Sequence, residues 1–465
     1  MEKIRKAVFV RQKTLAQIYE KYGRLALAEY VKTWKAQPLE PANPVVGYLE
    51  KALERIYGKG LAAPAAEQFS KNGLVSTIDH HGLFGHPFFL NSNLIFSLKT
   101  DIKFLPVLST SGVSLNNSSW PGCLVLTDPK RGRLVKLSFF SDDQKTGTVF
   151  KSLKITPDRL AQVLARISGL DFLALEQKKQ LQGLLNKVFK QADFGNFSDQ
   201  ACVISHEIWK TVFPSAPQLV YFPLEDLVGE IIEDTVCKDP GHILYKLLFT
   251  KEGWGLAEKH FNGVRGAFGG GRGSFLFWGL DEKGRRYAFV RQGSSLFGEN
   301  ASLGLEPEQI AAALRAREIY PTSLMCFLVL LYYQITCIGG FNQTTWLTEI
   351  KNKFAVLLAE AGEKEVSLSV ARAETGNFAE GSLAILKNTG SYFKASALDL
   401  YLKNISHASL RQLSNKITLA QSIEAELPEI YRIAVPERER DKELMALSLD
   451  KILESNGLKE VLAGF

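Results

Sequence analysis

Apolar and polar positions along this 465-residue chain fall into blocks of different period. From 13 to 31, KTLAQIYEKYGRLALAEYV spaces its apolar side chains three and four apart, and VVGYLEKALERIYG (45–58) repeats that spacing. Residues 1–70 therefore read as a helical region, interrupted by the proline-rich connector QPLEPANP. At residue 74 the period changes. LVSTI (74–78) is a short β-type run, a glycine–histidine turn follows, and PFFLNSNLIFSLK then opens with a proline, which suits the first position of a helix. Leu90, Leu94 and Leu98 share one face of that helix. KFLPVLS (103–109) is the next strand. Strand, tight turn, helix, strand is the opening of a parallel, Rossmann-like sheet. CLVLTDPKRGRLVKLSF, with two alternating runs about DPKRG, reads as a β-hairpin.

The remaining pattern divides the chain further. DRLAQVLARI, LALEQKKQLQGLLNKVFKQ and CVISHEIWKTVF make 151–215 a helical insertion, and QLVYF (218–222) restores a strand. FLFWGLDEKGRRYAFVRQG predicts a second hairpin turning at DEKG. An apolar helix over 321–335 meets a stop at Gly339-Gly340. The expected organisation is a helical region (1–70), the first half of the core (71–150), the insertion (151–215), the second half (216–410) and a helical C-terminal segment (411–465). The fold class is α/β, a Rossmann-like parallel-sheet core with helical insertions and a coiled-coil-like C-terminal segment. That segment would support a homodimer, although Pro428 and Pro436 interrupt its heptads.

Composition narrows the function classes. A net charge of +7, spread along the chain, suits a small anionic substrate and is too weak to argue for nucleic acid. The five cysteines form no C-x-x-C pair and read as thiols of a reducing compartment. No charge occurs between Glu318 and Glu349, yet the dense apolar part, Leu324 to Tyr333, is shorter than the ~20 residues a membrane span needs. A buried helix, no membrane and a cytoplasmic location are the expectation; the first residues lack the apolar stretch of a signal peptide.

The densest chemistry is DHHGLFGH (79–86), which holds three of the seven histidines. DHH-type phosphoesterases end a strand this way, but their metal ions need carboxylates from earlier strands, and Asp79 is the first aspartate of this chain. A mononuclear metal site built on His80, His81 and His86, and hence a metal-dependent hydrolase, stays open. Adjacent histidines on a strand point to opposite faces, so at most one of His80 and His81 easily joins His86. The second reading is an anion cradle. Gly82 and Gly85 would admit close backbone approach, and the helix N-terminus behind them would offer free N–H groups. LFGH is similar to the H-x-G-H element of class I nucleotidyltransferases without its first histidine. The third reading is a structural turn. GVRGAFGGGRG (263–273), with Arg265 and Arg272, reads as a flexible loop or an anion-clamping lid, and Asn342, Gln343, Thr344 and Thr345 as a helix cap or a pocket floor.

Several stretches then align in order with one family. IDHHGLFGHP (78–87), KFLPVL, CLVLTDPKRGRLVKL, FLFWGLDEKGRRYAFVRQGSSL and REIYPTSLMCFLVLLYYQITCIGGFNQTTWLTEI resemble the successive motifs of the bacillithiol-biosynthesis cysteine-adding enzymes over roughly residues 70–350. The resemblance implies a Rossmann-like core with a C-terminal coiled coil, and a ligase or transferase that joins an amine-bearing substrate to cysteine or another small acyl donor. It departs from the family at the turn, where T-G-Q-Q becomes Ile78-Asp79-His80-His81. It departs again at 109–119, STSGVSLNNSS, which lacks the family's acidic segment, and at Gln343, which replaces a glutamate. Those losses change which proton transfers are open, so a non-catalytic binding protein of the same fold is the competing expectation.

In the enzyme reading, Asp79, His80, His81 and His86 supply acid/base or phosphate-stabilising groups. Gly82, Gly85, Ser109, Ser111, Asn116, Asn117, Arg317, Gly339, Gly340, Asn342 and Gln343 bind the substrate or a nucleotide such as ATP, with Arg317 on the anionic part.

Overall fold

The computed structural model describes residues 1–264, 276–299, 301–388 and 390–464. Its centre is a four-stranded parallel sheet of β1 (Leu74–Ser76), β2 (Phe104–Ser109), β3 (Gln218–Pro223) and β4 (Thr336–Ile338), in the order β4-β1-β2-β3. Every residue of these strands except Gln218 is buried, as a sheet covered on both faces requires. The chain steps from β1 to β2 to β3 in one direction, then crosses back to lay β4 against the other side of β1. The sheet therefore changes winding direction between β1 and β4, the place where doubly wound sheets open a crevice at their carboxyl ends.

Helices flank the strands. α1 (Pro87–Phe96) joins β1 to β2, and α2 (Phe197–Val212) closes the helical insertion before β3. α3 (Leu224–Asp234) leaves β3, α4 (Ser323–Tyr332) leads to β4 and α5 (Phe341–Glu360) follows it. Both expected hairpins form, Cys123–Asp128 with Arg133–Ser138 and Phe277–Leu280 with Arg286–Ala288; Ile319–Pro321 pairs with the second as a third strand. The segments share one apolar core that runs from Ile4 to Leu462.

Two expectations need correction. The apolar helix stops at Tyr332; Gln334 takes a left-handed conformation (φ 62°), and the chain re-enters the sheet as β4 before the double glycine. The C-terminal segment is not a coiled coil. It breaks into helices of eight residues or fewer, among them Leu419–Glu424, Leu427–Ala434, Leu449–Ser455 and Leu458–Ala463. Thr418 and Ser448 cap two of them and Gly457, at φ 72°, turns the chain between the last two. Their apolar residues, including Leu419, Ile423, Leu427 and Leu458, are buried in the chain's own core, so they do not form a free seam. Among the described residues no helix is long and apolar enough to cross a membrane. Arg265 and Arg272 of the glycine-rich loop lie outside the described residues.

Candidate functional site

A cavity of about 480 Å³ opens at the carboxyl edge of the sheet. Thr77 and Ile78 reach it from β1, Thr110 and Gly112 from β2, Glu225 from β3 and Gly340 to Gln343 from β4. It thus straddles the β1/β4 crossing. Phe88 and Phe89 of α1, Trp278, Tyr320, Phe327 and Trp346 supply aromatic wall, and His80, His86, Arg286, Glu380 and Glu429 supply the charge-bearing side chains. A mostly apolar cleft with a few convergent polar groups is the usual form of a small-molecule site.

The histidine turn is built as a strand extension. Thr110 N donates to Asp79 O and His81 N to Thr110 O, both at 2.8 Å, so β1–β2 pairing continues past the formal strand ends. Side chains alternate accordingly: Asp79 and His81 are fully buried, while His80 between them faces the cavity. The His81 ring stacks on Tyr221 (centroids 5.2 Å apart). Its Nε2–H donates to Ser198 O at 2.9 Å and its Nδ1 accepts from the Ser109 hydroxyl at 2.7 Å. His81 and Ser109 are therefore core residues, away from the cavity lining.

Three amides of the turn and helix start are likewise committed inside the protein. Leu83 N donates to Pro121 O (2.8 Å), Phe84 N to Ser205 Oγ (3.1 Å) and Phe88 N to His86 Nδ1 (3.3 Å). Those three are withdrawn from a phosphate cradle, which would have to use the other amides at the start of α1. Gly82 is required for a different reason. A Cβ there would stand 2.4 Å from Pro121 O and 2.6 Å from Pro121 Cα, both backbone atoms, whereas at Gly85 it would meet Val125 N at an ordinary 3.6 Å. Gly82→Ala is expected to cost about 2 kcal/mol, typical of overpacking in a rigid site, read as a lower thermal midpoint. An unchanged midpoint would show that the Pro121 turn retreats freely.

Hydrogen bonding sets the His86 tautomer and favours the opposite one for His80. Ser119 Oγ lies 2.9 Å from Asn117 Oδ1 and 2.8 Å from His80 Nδ1; with its one proton given to Asn117, it accepts from His80 Nδ1–H. His80 is left with a lone pair on Nε2. His86 is the reverse: its Nδ1 accepts the Phe88 amide as the cap of α1, so its proton sits on Nε2. Burial pushes both rings down to about 4, and the neighbouring His80 adds to the effect on His86. At neutral pH the cavity therefore presents one uncharged imidazole acceptor and one uncharged imidazole donor. Among the described residues no three His, Cys, Asp or Glu side chains gather in a metal-binding group.

Asp79 lies behind this wall. Burial raises its carboxyl to about 8 against a single opposing hydrogen bond, from Asn93 Nδ2 at 2.9 Å. Asp79 Oδ1 and Asn93 Oδ1 are both buried without a protein partner. A folded-state value above the unfolded one makes the stability contribution greatest below pH 4 and lost as pH rises towards 8. Asp79→Asn, which mimics the protonated form, should lose that part of the pH dependence. It should be more stable than the parent at pH 8.5 by on the order of 2 kcal/mol in denaturant titrations. A parent whose stability is flat from pH 5 to 8.5 would contradict this.

The other expected residues separate into three groups. Asn117, Gly340, Asn342 and Gln343 line the cavity, with Gln343 Nε2 bonded to Thr77 Oγ1 and Asn342 Oδ1 to Gln12 Nε2. Ser111 and Gly339 support it from behind; Ser111 N and Oγ donate to Glu225 Oε2 (2.7 and 2.9 Å), and Gly339 N donates to Asn377 O. Asn116 is exposed, accepting from the Ser114 hydroxyl, and Arg317 lies outside the cavity altogether. The Arg317 guanidinium sits 4.0 Å from the Phe150 ring centroid, donates to Phe150 O and pairs with Asp226 at 3.1 Å, in a neighbouring recess. A substrate anion would instead meet Arg286, which lies 5.1 Å from the Trp278 ring centroid at the cavity wall.

Sequence reasoning missed Glu225, Glu380, Arg286, Trp278 and Tyr320. Glu225 and Gly112 are joined by a 2.9 Å bond from the glycine amide, so a carboxyl from the first turn of α3 organises the uncharged 109–119 segment. Its signal was faint, because an acid in the first turn of a helix is ordinary. No protein-family model matches the chain, and neither does any curated protein.

Proposed function

We propose that the cavity is the active site of a ligase or transferase that joins an amine-bearing substrate to a small acyl donor, cysteinyl by the family resemblance. The observation that carries this reading is that His80 and His86 line one cavity, each held through Nδ1, to Ser119 and to the Phe88 amide, which we read as two neutral imidazoles of opposite polarity. Amide formation needs both. As the amine nitrogen bonds to the acyl carbon, its proton passes to the His80 Nε2 lone pair and the carbonyl π electrons move onto oxygen. There the His86 Nε2–H can donate a hydrogen bond to the developing charge. When the tetrahedral species collapses, the proton held on His80 leaves with the departing group. The donor must arrive activated, as a thioester, because collapse of the tetrahedral species needs a better leaving group than hydroxide.

The experiment is condensation of a panel of amino sugars and small amines with thioester-activated amino acids, followed by mass spectrometry. Product is expected with the parent protein. His86→Asn keeps a cap for the Phe88 amide and removes the Nε2–H, so it should lower the rate of product formation by 10²–10³-fold with little change in thermal midpoint. Product formation at the parent rate by this variant would remove the assignment. No product from any pair would favour the non-catalytic alternative.

A further inference from the structure

After the helix Lys364–Arg372 the chain runs back alongside the end of β4. Gly339 N donates to Asn377 O (2.8 Å) and Ala379 N to Gly339 O (3.2 Å), which delivers Glu380 to the start of α5. Glu380 is only 3% exposed, and its Oε2 accepts the Phe341 amide. The fit is tight: a Cβ on Gly340 would lie 2.1 Å from Oε2. The positive end of α5, at the β1/β4 crossing where such sheets hold a ligand's anion, is therefore filled by the protein's own carboxyl. The other oxygen, Oε1, takes no hydrogen bond among the described residues, and Glu380 lines the cavity.

The neighbouring charges are already assigned. Glu426 pairs with Lys394 at 2.5 Å and accepts from Ser382, and Glu429 pairs with Arg432 at 3.1 Å. No cation of the described chain pairs with Glu380. We infer that Glu380 is the specificity residue of the cavity, excluding phosphorylated ligands from α5 and receiving a cationic amine at Oε1. This rests on the cavity being the substrate site proposed above. Burial, with Glu426 and Glu429 close by, raises the Glu380 carboxyl well above its usual range against the Phe341 amide and Lys394. That direction favours the protonated carboxyl in the free protein, whereas an ammonium at Oε1 favours the ionised form, so its capture should release a proton.

Calorimetric titration of the full chain at pH 7.5, in buffers of different ionisation enthalpy, tests this with phenethylammonium and phenyl phosphate as probes. The amine should bind with buffer-dependent proton release, and phenyl phosphate at least tenfold more weakly. Glu380→Gln keeps an oxygen for the Phe341 amide and should lose both the proton release and at least tenfold in amine affinity. Tighter binding of phenyl phosphate than of the amine, or amine binding without proton release, would overturn the inference on the parent protein alone. So would unchanged amine affinity in the variant. Each of those results leaves the His80/His86 reading standing; that reading is tested separately, by the condensation assay and by the state of the two rings.

Discussion

Glu225→Ala is expected to be the most disruptive single substitution around the cavity. The Glu225 carboxylate accepts three hydrogen bonds, from Ser111 N (2.7 Å), Ser111 Oγ (2.9 Å) and Gly112 N (2.9 Å), and the residue is 4% exposed. Truncation leaves those donors buried beside a void. Bonds to a charged acceptor are worth ~1.5–3 kcal/mol each and are not additive, so a total loss of about 4 kcal/mol is the expectation. The damage should be local as well as global. Tyr320, whose hydroxyl donates to Gly112 O at 3.1 Å, and a Cβ on Gly112 would meet at 2.4 Å, so the 109–119 segment and the Tyr320 wall are fitted to each other. Glu225→Gln retains an acceptor and should recover part of the stability. Hydrogen exchange should show Ser111 and Gly112 losing protection first. An alanine variant that melts with the parent would mean that the segment is held by other contacts.

The second large effect is on turnover. His80→Gln removes the Nε2 lone pair and should reduce product formation by 10²–10⁴-fold, the usual worth of a positioned general base. The pH profile separates this role from a structural one. With His80 held down to about 4, the parent rate should be level from pH 5.5 to 8 with respect to this group, and fall only as pH drops through about 4, where the ring gains a proton. The glutamine variant should lack that acid limb while keeping the parent's thermal midpoint. A parent profile with an inflection between pH 6 and 7 would mean that some other group carries the proton.

Much of the frame was legible in the chain. Both hairpins follow from alternating runs around DPKRG and DEKG, and the strand–turn–helix of 74–96 follows from a switch of period plus Pro87. The alternation argument for adjacent histidines also held: His80 faces the cavity and His81 the core. What could not be read depended on distant partners. β4 is three residues long, too short for a periodic signal, and exists because Leu74 to Ser76 offer it a parallel edge. The C-terminal pattern resembled a coiled-coil seam, but Pro428 at the start of one short helix and a left-handed Gly457 cut it, and the core absorbed its apolar side. Glu380 sits in an irregular stretch, FAEGS, and acquires meaning only from the α5 amide it meets across 39 positions of chain. The tautomers of His80 and His86 are set by Ser119 and by the Phe88 amide, contacts that follow from the folded turn.

The central claim is that two uncharged imidazoles of opposite polarity face one cavity, and ring-nitrogen NMR of histidine-labelled protein tests it most directly. From pH 5 to 8, His80 is predicted to stay neutral with its proton on Nδ1 and His86 to stay neutral with its proton on Nε2. Protonation of either ring with a midpoint between pH 6 and 7, or the same tautomer in both, would contradict it.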